Sequence, residues 1–103
     1  MTKVIYKLVE NVFEYVIIKD HTNFAEKGHD IVCAGISAVT NGTVNFFQQY
    51  YKDDCKISYL STEISIYSQS KNPEFNLCLK LMLYQLENIA SSYPNYLKIK
   101  RER

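Results

Sequence analysis

The chain has 103 residues, 47% of them hydrophobic and 22% charged, which describes one folded domain over residues 1–103 and excludes a disordered tail. Twelve Lys and Arg against eleven Asp and Glu leave a net charge of +1, too weak a field to argue for nucleic acid or an anionic membrane as partner. No apolar run is long enough to span a bilayer, and no signal-like segment opens the chain. Cys33, Cys55 and Cys78 are odd in number and form no CxxC pair, so a reducing, cytoplasmic setting is expected.

The opening TKVIYKLV alternates, with Val4, Tyr6 and Leu8 on one side and Lys3, Ile5 and Lys7 on the other, the period of a half-buried strand. Glu10 and Asn11 make a polar turn, and VFEYVIIKD follows as a second strand, so residues 2 to 20 read as a hairpin. The polar stretch HTNFAEKGH is a loop of the kind that carries function on a scaffold, with Gly28 free to take an unusual backbone angle. Asp30 is a good N-cap for a helix over about 31 to 51, whose expected buried face holds Ile31, Ala34, Ala38, Val39, Gly42 and Phe46. Its small residues suggest that another element packs very close to it.

CKISYLS and TEISIYSQ alternate again and form two strands joined by a tight turn near Ser61 and Thr62. Pro73 opens a second helix with an apolar stripe of Phe75, Leu79, Met82, Leu86 and Ile89, widened by Leu83 and Ala90. Pro94 ends it, and YLKIK is a short candidate edge strand. The expected architecture is α+β, an antiparallel sheet with two helices packed on it, in the order ββαββα with a possible last strand.

The chemistry concentrates between residues 21 and 37. Cys33, in the first turn of a helix capped by Asp30, would have unpaired backbone N–H groups and the positive end of the helix dipole around its sulfur, and both favour thiolate. Ser37 is four residues on and shares its helix face. Each has a plainer reading: a buried cysteine is most often a small hydrophobe, and a helical serine bonds back to a carbonyl one turn earlier. His21 can end a strand, and His29 can be a solvated loop residue. A metal site from His21, His29 and Cys33 matches no structural zinc spacing.

GHDIVCAGISAVTNGTVN, with a histidine twelve residues upstream of its cysteine, resembles the Prp family of ribosomal-processing cysteine proteases, also called YsxB-like. Members commonly show Gly-His-Ala at the end of the second strand, then a loop, then G-x-D-x-V-C-A, a small residue and a serine. Gly28, Asp30, Val32, Cys33, Ala34, Gly35 and Ser37 match the second motif, and His21 matches the first, although Asp20 and Thr22 stand where the family has small residues. The resemblance implies Cys33 as nucleophile and His21 as general base in a Cys–His dyad. Asp30 and Ser37 would support them, and Gly28 and Ala34 would shape the loop and helix start. It implies a large-subunit ribosomal protein precursor as substrate, cleaved of an N-terminal extension that ends in an aromatic pair. It implies a homodimer, which the small size also favours, and no metal or organic cofactor. Two rival readings stand beside it. One is a non-catalytic ribosome-associated module contacting RNA through KIKRER and its tyrosines, against which Glu102 sits between Arg101 and Arg103. The other is a homologue that lost catalysis through Asp20 and Thr22.

Overall fold

The computed structural model describes residues 1–20 and 30–103, Asp30 by its backbone alone. Five strands and two helices follow in the order β1 (Thr2–Val9), β2 (Val12–Lys19), α1 (Asp30–Tyr50), β3 (Cys55–Tyr59), β4 (Ile64–Ser68), α2 (Pro73–Ser92) and β5 (Leu97–Glu102). The α+β class and the element order agree with the sequence reading.

The strands form one sheet in the order β3-β4-β2-β1-β5. The first four pair antiparallel, but β5 runs parallel to β1, so the sheet is mixed and not antiparallel throughout. The reason is the helix that precedes β5. α2 carries the chain back along the sheet, so the strand after it runs in the direction of β4, as a crossover connection requires. The expected edge strand is therefore real, longer than YLKIK, and docked on β1 from Thr2–Leu97 to Lys7–Glu102.

The first hairpin turns through Glu10 and Asn11, both left-handed at φ 52° and 66°, which is the backbone of a two-residue turn matched to strand twist. Asn76 of α2 fastens this hairpin, accepting from the Phe13 N–H at 2.8 Å and donating to the Asn11 carbonyl at 3.0 Å. The β3–β4 turn closes between Leu60 and Glu63, around Ser61 and Thr62 as expected.

Both helices pack on one face of the sheet over a core of Val4, Val16, Ile18, Ile66 and Leu97 from the strands and Phe47, Phe75, Leu79, Met82 and Leu86 from the helices. Asn72 accepts from the Glu74 N–H and Pro73 starts α2, whose predicted stripe is the face that is buried. α1 is one helix, but the expected buried face is wrong. Val32, Ile36, Thr40, Val44 and Phe47 point into the core, whereas Ile31 is 69% and Phe46 41% exposed. Ala34, Ala38 and Gly42 also face outward, and only Val39 of the expected set packs against the core. The face of Val32, Ile36, Val44 and Phe47 is a continuous run of large apolar side chains, whereas Ala34, Ala38 and Gly42 interrupt the face that holds Ile31 and Phe46, so the continuous one takes the interior. Close packing explains Gly42 no better, since a Cβ there would meet nothing within 4 Å.

Candidate active site

α1 begins at Asp30 itself, so the expected cap is already its first helical residue. Cys33 is then the fourth residue of the helix and lies in its first turn, where backbone amides have no carbonyl one turn earlier in the helix. It is 7% exposed. Ser37 follows one turn along the same face and is half-buried, while Ala34 turns outward. His21, Gly28 and His29, like the residues between them, lie outside the described residues, and Asp30 contributes here only its position. Asp20, directly before His21, has φ 58° and its carboxylate is 3.9 Å from the Lys3 ammonium.

The other two cysteines have structural occupations. Cys55 belongs to the hydrophobic core and its thiol donates to the Tyr51 carbonyl at 3.4 Å. Burial, with the charge of Asp54, pushes its pKa up, so it stays a thiol at neutral pH. Cys78 packs against the core, and burial and Glu74 raise its pKa as well. None of the three is in a disulfide. Among the described residues no group of three His, Cys, Asp or Glu side chains gathers as a metal site.

Beyond Ser37, the helix face continues to Asn41, and these two form one wall of a cleft of about 150 Å³ whose other wall is the β3–β4 turn. Tyr59, Leu60, Glu63 and Ile64 line that wall, with Tyr59 51% and Leu60 64% exposed. That wall is mixed, with Ser61, Thr62 and Glu63 beside Tyr59, Leu60 and Ile64, and it faces the polar helix side chains one turn from the Cys33 thiol. The sequence reading missed this wall. Asn41 had a signal, standing eight residues after Cys33 on the same face, but the hairpin tip reaches α1 only through the tertiary fold.

Residues 1–98 match the family model described as cysteine protease Prp. The ribosomal processing cysteine protease Prp of Mycoplasma genitalium is 35% identical over 88 residues, spanning 85% of this chain and 88% of that protein. Among solved structures, the S. aureus ribosomal processing protease Prp in complex with a substrate peptide superimposes with a TM-score of 0.88 at 30% identity, covering 99% of this chain and 100% of that one. The same S. aureus protease with a covalently linked product peptide gives a TM-score of 0.87 at 31% identity, with the same coverage. The likeness runs through both helices and the whole mixed sheet, so the chain belongs to the cysteine protease Prp family.

Proposed function

We propose that this chain is a cysteine endopeptidase that removes a short N-terminal extension from a large-subunit ribosomal protein, with Cys33 as nucleophile and His21 as general base. The observation that carries the reading is the place of Cys33 in the first turn of α1, one turn from a small cleft that begins at Ser37, in a chain of this family. His21 takes the thiol proton, and the sulfur attacks the scissile carbonyl carbon. The first-turn amides of α1 hold the resulting oxyanion. The C–N bond breaks, the leaving amine takes its proton from His21, and a thioester remains. Water activated by His21 then frees the acid and restores the thiol. A relative that holds a covalently linked product peptide supports a covalent path. Ser37 supports the site from the next turn, and Asp30 and Gly28 shape the approach to it.

The enzyme works in the cytoplasm, next to newly made ribosomal proteins. No helix of the described residues is long and apolar enough to cross a membrane. It acts as a homodimer joined through the outer helical layer, where Ile31, Leu77, Leu81 and Tyr84 are each at least 60% exposed. Leu81→Glu would make it monomeric by light scattering, whereas an unchanged mass would remove that face from the interface.

The test of the activity is a peptide carrying an aromatic-pair junction, incubated with the wild type and with Cys33→Ala and read by mass spectrometry. Cleavage by the wild type alone supports the assignment. Separate His21→Ala and His29→Ala variants identify the base, and loss of cleavage only in the second would move that role to His29.

A further inference from the structure

A net charge of +1 averages over an uneven surface. One face of the sheet is covered by the helices, and the strand registers fix what stands on the other. Val4, Val16, Ile18, Ile66 and Leu97 point into the core, so their strand neighbours point away from it. Across β2, β1 and β5 one row reads Lys19, Lys3, Lys98, and the next reads Ile17, Ile5, Lys100. The third row runs through Lys56, Tyr67, Tyr15, Lys7 and Glu102 on all five strands. Six of the ten lysines of the chain thus stand on this open face, against Glu102 in the rows and the carboxylates of Glu14 and Asp20 that reach Lys7 and Lys3.

Lys3 faces a lysine on both sides, with neighbouring strands roughly 4.8 Å apart. Like charges directly opposite destabilise a sheet. Asp20, 3.9 Å from Lys3 with both side chains about 60% exposed, screens this row only in part. Glu14 engages Lys7 at 3.4 Å, and Glu102 accepts from the Tyr15 hydroxyl at 2.6 Å. An arrangement that costs stability and leaves a row of cations in water fits a polyanion.

The aromatic pair says which polyanion. Tyr15 and Tyr67 lie with ring centroids 6.1 Å apart, and Tyr67 is 41% exposed. The two rings help line a groove of about 690 Å³ that runs past Val9, Val12 and Glu10 to Lys71. Cations for phosphates beside ring faces and a groove for bases are the two parts of an RNA-binding sheet. A second copy of this chain is a poor occupant, because an isologous contact would set lysines against lysines. An anionic bilayer would favour protruding apolar residues, whereas Ile5 and Ile17 are half-buried at the centre of this face.

We propose that the open face of the sheet, with Lys3, Lys19, Lys98 and Lys100 as phosphate contacts and Tyr67 as a stacking platform, binds RNA. The face lies opposite the helices that carry Cys33, so RNA held there leaves the peptide cleft open. Bound to RNA of a particle under assembly, the enzyme would meet its protein substrate locally.

The probe is a fluorescein-labelled RNA stem-loop of about 20 nucleotides, titrated with the full chain between about 50 and 200 mM salt and followed by anisotropy. The triple variant K3Q/K19Q/K98Q should weaken binding at least tenfold and flatten the log–log salt slope by about 2, as three lost phosphate contacts would. Tyr67→Ala should weaken it at least about fivefold with the salt slope unchanged. K52Q/K80Q, which removes charge away from this face, should bind as the wild type does. Circular dichroism confirms folding of each, and K98Q/K100Q on edge strand β5 replaces the triple variant if that one does not fold. Failure of the RNA to bind at low salt would overturn the proposal. So would an equal loss in K52Q/K80Q, full displacement by polyglutamate at matched charge, or capture by phosphatidylglycerol vesicles without RNA binding.

Discussion

Gly35 and Gly42 both sit inside the 21-residue helix α1, and close packing would be the usual excuse for them. The structure removes that excuse. A Cβ at position 42 meets nothing within 4 Å, and one at position 35 meets only Ile89 Cδ1 at 3.5 Å, an ordinary contact. Alanine is better than glycine in a helix interior by about 0.8–1 kcal/mol, because it loses less backbone freedom on folding. The two sites are seven residues apart, roughly 10 Å along the axis, so their effects should add. Gly35→Ala/Gly42→Ala should therefore be about 2 kcal/mol more stable, with each single variant near half of that. Urea unfolding should show a higher midpoint at an unchanged m-value, and the thermal midpoint should rise about 4–8 °C per kcal/mol. A loss of stability in Gly42→Ala would refute the reasoning. It would mean that the space over position 42 is filled in solution by another surface.

Thr40 is buried in α1 and its hydroxyl has no partner among the described residues, so Thr40→Val should stabilise by about 1 kcal/mol in the same unfolding assay, since it removes a desolvated polar group without changing shape. Asn76→Ala should cost about 2 kcal/mol, because the Phe13 N–H loses its acceptor, and Asn76→Asp, which keeps that acceptor, should lose less by urea midpoint. The Glu102 carboxylate raises the pKa of Tyr15 from 10.0 to about 12, so the folded chain holds this proton more tightly than the unfolded chain does. Its contribution is complete below pH 10 and is lost as the pH climbs from 10 to 12, so the thermal midpoint should fall more steeply there in the wild type than in Tyr15→Phe.

Much of the fold is legible where local pattern and burial agree. α2 is readable because Pro73 marks its start and its large apolar residues all fall on one stripe, so amphipathicity has one solution. α1 is harder because apolar residues surround it. Ile31 and Phe46 compete with Val32, Ile36 and Phe47, and only the sheet beneath decides which set is inside. The direction of β5 is set by the crossover through α2, and no residue of LKIKRE encodes it. The same holds for the site. Cys33 and Ser37 are visible one turn apart, but Tyr59 and Leu60 join their cleft only once β3 and β4 are paired.

Asp20 shows how a departure from a motif can be read physically. At the level of sequence, a carboxylate in place of a small residue before His21 looks like either an electrostatic partner for the imidazole or a lesion. The backbone supplies a simpler account. Position 20 is left-handed at φ 58°, a region that glycine enters freely and that Asp and Asn tolerate better than other residues. A glycine before the histidine, as in the Gly-His-Ala motif, would take this backbone freely, and aspartate is one of the few other residues that tolerates it. The side chain turns to Lys3, at 3.9 Å and in solvent, so it adds little to stability. The change therefore preserves the turn that ends β2 and leads into the histidine.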